Sequence, residues 1–245
     1  MKVCFVIAAM IPGCLLAQKG SWIEFGLTGS GGANIITNKN IWNDQKTVTS
    51  DISLCYGFGG KLALNINESH ELLLNVEYGI KNQNYEIKID STKFNKNIVL
   101  KTIDMAFLYR YHNDDGAYVE IGPQLSLIKS VTENRDGISK DVTAAFNKSY
   151  VSGVFGFGSN FIQSNAFTLA AGFRINYSLT DLISNGGGSG NAVSYPLNDV
   201  KHFKSYDTYS PTKAFSIMLH TEFNFDLGYF VRSNCNRKRV SFLSF

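Results

Sequence analysis

The sequence predicts an antiparallel β-barrel of eight strands that spans an outer membrane. Three observations predict it. The first residues have the pattern of a secretory signal. The rest of the chain alternates apolar and polar residues with a period of two. The links between these runs alternate between short and long, as in outer-membrane barrels. After the signal, no segment stays apolar for the roughly 20 residues that a transmembrane helix needs.

The signal segment covers residues 1–17. Lys2 supplies the positive start, residues 3–16 form the apolar core, and Ala17 precedes the expected cleavage point before Gln18. An alternative is a lipobox that ends at Cys14, with that cysteine lipidated. The mature chain is then divided into a barrel over residues 18–231 and a basic, aromatic tail over 232–245. The tail is either a periplasmic extension or an extended last strand.

The eight strands are predicted from runs in which every second residue is apolar. In the first run Ile23, Phe25 and Leu27 alternate with polar or small residues, and the last run repeats the pattern with Phe223, Phe225 and Leu227. The runs cover residues 23–35, 54–66, 74–81, 102–111, 118–127, 151–161, 167–178 and 215–227. A soluble sandwich also alternates, but its strands are usually shorter, about 5 to 6 residues. The Gly, Ala and Ser residues of the polar face suit a cramped barrel interior.

Loop lengths set the orientation of the barrel. Short links near 67–71, 112–116 and 163–165 predict periplasmic turns, and longer links at 37–52, 88–99, 129–148 and 180–212 predict extracellular loops. We expect 180–212 to be a mobile surface loop, because its Gly-rich stretch cannot bury enough apolar area to order itself. Aromatic residues at both ends of the runs predict interface belts. They are Trp22, Tyr111, Phe161, Phe167 and Phe225 at the short-turn end, and Tyr56, Tyr177 and Phe215 at the long-loop end.

Three stretches carry a family resemblance: Lys101–Tyr111, Tyr118–Gln124 and Phe155–Asp181. They resemble the PorT-like outer-membrane β-barrel family, also described as "porin family" or "outer membrane protein beta-barrel domain". In the last stretch, Ser178 stands where the family pattern has Gly, and Ile175 where it has an aromatic residue. The resemblance implies an outer-membrane location and a barrel fold. The family has no shared catalytic residues, and the secretion role of some members is not carried over to this sequence.

Catalytic and metal chemistry finds little support in the sequence. The four histidines lie far apart and have no helical partner spacing, so we expect no metal site and no cofactor. A lipid hydrolase or acyltransferase would need a nucleophile beside a base, and Ser216, His220 and Glu222 share one face of the last strand. That face points into the barrel, so a packed network is the preferred interpretation and no enzyme activity is expected. The formal charge of +3, without a dense Lys/Arg cluster, gives no support for nucleic-acid binding.

Charged residues on the predicted inward face form the most informative set. Lone buried ions are costly, so opposite charges in a narrow interior must pair. With residues 68–70 as the turn, we expect Lys61 to face Glu77. The predicted lumen charge network consists of Glu24, Lys61, Glu77, Lys81, Asp104, Arg110, Glu120, Arg174, His220, Glu222 and Asp226.

These charges predict a filled lumen that does not conduct ions. The protein is then expected to act through its extracellular loops in binding, adhesion or envelope assembly. A narrow channel is the alternative, and a membrane-embedded lipid hydrolase or acyltransferase is the third hypothesis. The expected partners are outer-membrane lipid, the barrel-assembly machinery and a protein of the cell envelope.

Overall fold

The computed structural model describes residues 21–89, 92–135, 137–164, 167–184, 209–232 and 238–242. The predicted signal segment 1–17, with Cys14, lies outside the described residues. So does most of the predicted loop 180–212.

The described part of the chain is almost entirely β-structure. A short helix, α1, covers Lys39–Asn43, and one 3-10 turn covers Thr143–Ala145. No helix in these ranges is long and apolar enough to cross a membrane. The strands are β1 (Ser21–Thr37), β2 (Val48–Asp51), β3 (Ser53–Asn67), β4 (His70–Ile89), β5 (Thr92–His112), β6 (Ala117–Arg135), β7 (Ile138–Asp141), β8 (Ser149–Gln163), β9 (Thr168–Ser178), β10 (Lys213–Arg232) and β11 (Lys238–Phe242).

Eight of these strands form a closed ring, which confirms the predicted fold. The order is β1-β3-β4-β5-β6-β8-β9-β10, and β10 pairs antiparallel with β1 from Ser21↔Phe230 to Thr37↔Lys213. Each strand is antiparallel to its neighbours, as an up-and-down path requires. Closure leaves no unpaired edge inside a bilayer, where exposed backbone groups have no water to bond.

The alternation in the sequence separates a lipid-facing surface from a lumen. Phe107 and Ile121 are exposed on the outside of the barrel, whereas Arg110 and Glu120, with the opposite parity, are buried inside it. The predicted belt residues Tyr56, Tyr111, Phe161, Tyr177 and Phe215 are all exposed on the outer wall, and Phe167 and Phe225 are half-buried. Trp22 was placed wrongly in that belt, because it has the inward parity of Glu24 and lines a cavity at the barrel mouth.

The short links are confirmed and the long ones are only partly loops. β3 and β4 turn between Asn67 and His70, β5 and β6 between His112 and Ala117, and β8 and β9 between Gln163 and Thr168. The predicted loop 88–99 is wrong, because β4 and β5 continue and Lys88 pairs with Lys93. The strand projects beyond the lipid there, so polar residues face water and hide the strand pattern.

The other long links also contain structure. Residues 37–52 hold α1, whose Asn38 side chain accepts a hydrogen bond from the Ile41 amide, and β2, which pairs with β4. Residues 129–148 hold the end of β6, strand β7 and the 3-10 turn. At the other end of the barrel, β11 in the tail pairs with Gly228–Arg232 of β10.

Two glycines on neighbouring strands make room for one lumen side chain. A Cβ on Gly158 would lie 2.6 Å from the ring and hydroxyl of Tyr118, and one on Gly172 would lie 2.7 Å from that hydroxyl. Gly156 similarly makes room for Glu120, since a Cβ there would lie 2.5 Å from its carboxylate. These glycines therefore accommodate large inward residues and do not leave an open path.

We predict that Gly172→Val destabilises the barrel, because the added atoms overpack the lumen against Tyr118. Overpacking a filled interior costs about 1 to 3 kcal/mol. The matched control is Gly153→Val, since a Cβ at Gly153 meets nothing within 4 Å. The measurement is the urea midpoint of unfolding from lipid vesicles, and equal midpoints for both variants would contradict the close packing.

Candidate functional site

The lumen near the short-turn end is filled by charged side chains that we call the lumen ion network. Its members are Glu24, Lys61, Glu71, Glu77, Arg110, Glu120, Arg174, His220 and Glu222. They come from β1, β3, β4, β5, β6, β9 and β10, where the inward positions of successive strands meet.

Lys61 joins three strands to β3. Its ammonium lies 2.6 Å from Glu24 Oε1, 2.9 Å from Glu71 Oε1 and 2.9 Å from Glu222 Oε2. The contacts with Glu71 and Glu222 are hydrogen bonds, and the contact with Glu24 is an ion pair without hydrogen-bond geometry. Lys61 is therefore fully paired although it is buried.

Arg110 ties opposite walls of the barrel together. It lies on β5, and its Nη1 donates to Glu222 Oε2 on β10 at 3.0 Å, across the ring. Its Nη2 donates to Glu120 Oε2 at 2.8 Å and also to Glu222 Oε1. The Tyr118 ring lies under the guanidinium, with 4.1 Å between Cζ and the ring centroid. The planar, always charged guanidinium suits this bidentate arrangement.

Arg174 and His220 complete the network on its outer side. Arg174 Nε donates to Glu120 Oε1 at 2.5 Å, and its Nη1 lies 2.8 Å from His220 Nε2. His220 Nε2 also lies 2.8 Å from Glu77 Oε1. Ser30 donates its hydroxyl to the other oxygen of Glu77 at 2.9 Å. The polar network thus crosses the lumen from β4 to β9 and β10.

Two further ion pairs lie nearer the long-loop end. Lys81 lies 2.9 Å from Asp104 and donates to the Tyr150 hydroxyl at 2.7 Å. Lys96 lies 3.2 Å from Glu133, and both are buried.

Above the Lys81–Asp104 pair the lumen is closed by apolar residues, which we call the outer apolar cluster; the Lys96–Glu133 pair lies at its outer side. Inward positions of six ring strands meet there with residues of α1, β2 and the loops. Its buried members are Ile36, Ile41, Val48, Tyr85, Ile87, Ile98, Leu100, Val131, Phe146, Tyr150, Leu182 and Ala214. Tyr85 donates its hydroxyl to the Ile36 carbonyl at 2.8 Å, so its polar atom is satisfied. The cluster resembles the core of a soluble protein.

Hydrogen bonds fix the bases of the outer loops to this cluster. Asp181 Oδ1 accepts from the amides of Ile183 and Thr212, each at 3.0 Å. Its other oxygen accepts from the Tyr209 hydroxyl, and partial burial and this bond raise the pKa of Tyr209. Asn147 donates to the carbonyls of Asp181 and Ile183. These bonds hold the outer segments 142–148, 179–184 and 209–212 together, and Asn38 and Lys39 also bond to Thr212 and Ser210. We call these segments, with α1, β2 and β7, the cap.

At the periplasmic mouth, a polar cavity of about 460 Å³ opens between the turns. Trp22, Asn65, Asp114 and Asn224 line its sides, and Lys61 and Arg110 lie among its lining residues. The two bases are held by carboxylates of the lumen ion network. The cavity is thus a vestibule that ends at this network.

The structure brings most of the predicted lumen charges together and separates some. Lys81 and Asp104 form a pair of their own, and Asp226 lies exposed at the rim opposite Glu24. The expectation that Lys61 faces Glu77 is wrong. An irregularity between Asn65 and Asn67 shifts the register, so Lys61 pairs with Asn75 in the ladder and Gly59 with Glu77.

Two members of the site were missed because they lie at predicted turns. Glu71 accepts from Lys61, and His112 Nε2 lies 2.9 Å from Glu71 Oε2. Their inward parity, continued from Glu77 and Arg110, was the signal that would have included them.

The residues considered for nucleophilic catalysis do not form a dyad. Ser216 and His220 are both buried in the lumen. Four residues apart on one strand, they are separated by about 13 Å, beyond hydrogen-bonding reach. In the described ranges, no cluster of three or more His, Cys, Asp or Glu side chains has the geometry of a metal site.

Comparison with known families supports the same assignment. The model of the outer membrane protein beta-barrel domain family matches residues 16–184. The chain belongs to this family. Membership places the protein in the outer membrane, in agreement with its closed ring and apolar outer wall. No match was found among curated proteins.

Several solved structures of outer-membrane barrels are similar to the chain in outline. Neisserial surface protein A is 12% identical, with a TM-score of 0.38, and covers 81% of this chain and 95% of its own. Ail, the attachment invasion locus protein of Yersinia pestis, is 11% identical, with a TM-score of 0.37 and coverages of 85% and 100%. OprG from Pseudomonas aeruginosa is 10% identical, with a TM-score of 0.38 and coverages of 88% and 98%.

We predict that Arg110→Gln strongly destabilises the barrel, because it leaves Glu222 and Glu120 buried with less compensation. Removing one partner of a buried ion pair costs about 3 to 5 kcal/mol. Lys93→Gln is the control, since Lys93 pairs with Glu86 in solvent, and it should leave the urea midpoint unchanged. A midpoint for Arg110→Gln within error of the wild type would show that the network contributes little.

Proposed function

We propose that this outer-membrane barrel neither conducts nor catalyses, and that it acts through its outer face in binding, adhesion or envelope assembly. The observation that carries the proposal is the double closure of the lumen. The lumen ion network blocks the half near the periplasm, and the outer apolar cluster blocks the other half. Eight strands enclose an interior just wide enough for side chains to fill.

The outer face has features that suit contact with another macromolecule. The cap is rigid at its base, and it presents large apolar side chains beyond the lipid-facing strands. Trp42 on α1 is 60% exposed, and Ile138 on β7 is 73% exposed. Large apolar and aromatic side chains of this kind supply much of the contact area where a protein interface forms. A protein of the cell envelope is the partner we propose.

A narrow channel is the second candidate, and the periplasmic vestibule is the observation that favours it. A polar entrance of about 460 Å³ already reaches Lys61 and Arg110. An ion would still have to break the lumen ion network and then cross the outer apolar cluster. Both steps are costly, because the first leaves buried charges unpaired and the second removes the ion's hydration.

Within the family, we infer a place in the PorT-like branch from Lys101–Tyr111, Tyr118–Gln124 and Phe155–Asp181. We also propose export through the signal segment 1–17, and insertion by the barrel-assembly machinery. The tail strand β11, beside the end of β10, lies where such machinery would meet the last strand.

We predict that the pure protein is silent in planar lipid bilayers. The variant Leu100→Ala/Val131→Ala thins only the outer apolar cluster, so it should stay silent because the lumen ion network still blocks the path. A known porin in the same bilayers serves as the positive control. Stable, reproducible conductance steps from the wild type would support the channel and overturn the proposal.

Site-specific cross-linking in intact cells tests the outer face. A photo-reactive residue replaces Trp42 or Ile138 on the cap, and Asp115 in an exposed short turn is the matched control. We expect covalent adducts with an envelope component from positions 42 and 138 and none from 115. Adducts from position 115 alone would move the interaction surface to the periplasmic end.

A further inference from the structure

Three lysines lie on neighbouring segments of the barrel, at the level where the lipid-facing surface ends. In the ladder between β5 and β6, Lys101 pairs with Ser130, the residue after Lys129. On the other side of β6, the amide of Ile128 donates to the carbonyl of Lys148 at 2.9 Å. Neighbouring strands are about 4.8 Å apart, so three adjacent strands bring Lys101, Lys129 and Lys148 together.

Their height on the barrel is set by the apolar rows below them. The outward-facing apolar residues run from Tyr111 to Ile103 on β5 and from Val119 to Leu127 on β6. A transmembrane strand needs about 9 to 11 residues to cross the bilayer. Each of these rows has that length, and the next outward position is Lys101 or Lys129. The lysines therefore lie at the level of the outer-leaflet headgroups.

A β-bulge in β6 affects the direction of the Lys129 side chain. The ladder between β5 and β6 shifts register between Lys101 and Thr102, and Lys129 is the extra residue of this bulge. Bulges commonly re-aim a side chain. Lys129 and Lys148 are exposed, and Lys101 is half-buried.

Lys101, Lys129 and Lys148 form no ion pair within the described ranges. Other lysines at this end are engaged: Lys88 and Lys93 both pair with Glu86, and Lys213 donates to the Leu179 carbonyl at 2.5 Å. Three unneutralised cations at the headgroup level are an electrostatic site for lipid phosphates.

We propose that Lys101, Lys129 and Lys148 form a binding site for the phosphate groups of an outer-leaflet lipid headgroup. The apolar rows on β5 and β6 accept the acyl chains of the same molecule, so the site recognises a phosphorylated lipid and not free phosphate. The bound lipid holds the barrel at a fixed height and covers the wall beside β8.

Native mass spectrometry of the folded full-length barrel in detergent tests the site, with lipid A that carries two phosphates as the probe. The wild type should retain this lipid A. The variant Lys101→Gln/Lys129→Gln/Lys148→Gln should bind it about a hundredfold more weakly, since each lysine contributes near an anionic surface. The matched control, Lys39→Gln/Lys46→Gln/Lys140→Gln, removes three exposed lysines from the cap and should bind as the wild type does.

Two further arms of the experiment separate the sources of phosphate. Dephosphorylated lipid A should bind the wild type as weakly as the phosphorylated form binds the triple variant, and inorganic phosphate should not displace the lipid. Heat-modifiable migration on gels confirms that each variant is folded. Equal retention by wild type and site variant, equal loss in the control variant, or displacement by inorganic phosphate overturns the proposal.

Discussion

Charges inside a narrow barrel have little water around them, so each must find a partner on another strand. The interaction between Arg110 and Glu222 shows how far this constraint reaches, because it joins β5 to β10 on opposite walls of the ring. Lys61 then holds Glu222, Glu71 and Glu24 around the same point. The glycines opposite Tyr118 and Glu120, and the polar parity of every strand, follow from the need to fit this network into the lumen.

The barrel uses a different kind of packing at its outer end. There the strands rise beyond the lipid, and inward residues such as Ile87, Leu100 and Val131 are buried against loop residues. Apolar burial is the ordinary solution for a protein surrounded by water, and the buried Lys96–Glu133 pair is the exception at this end. The outer apolar cluster packs against the bases of the loops, and the lumen ion network joins the strands of the membrane-spanning part.

This division gives the two ends of the protein different capacities. The periplasmic end is a polar vestibule between short turns, with little surface for recognition. The outer end has a hydrogen-bonded cap, exposed apolar side chains and a row of lysines at the membrane boundary. The partner contacts and the lipid site that we propose both lie at the outer end, where exposed apolar side chains and unpaired charges are found.

The sequence by itself determined the fold, because a period of two repeated over eight runs has one economical solution in a bilayer. It also determined which charges face inward, as Arg110, Glu120 and Glu222 show, because parity is a local property of a strand. Which inward charges meet was decided only by the tertiary structure. An irregularity near Asn65 moved Lys61 away from Glu77, and contacts across the ring depend on strand stagger, which no local pattern encodes. The sequence did not predict the outer apolar cluster, for a related reason. The outward residues of its strands face water and are polar, so these segments have the sequence pattern of loops. Only the structure shows that β4 and β5 are paired there.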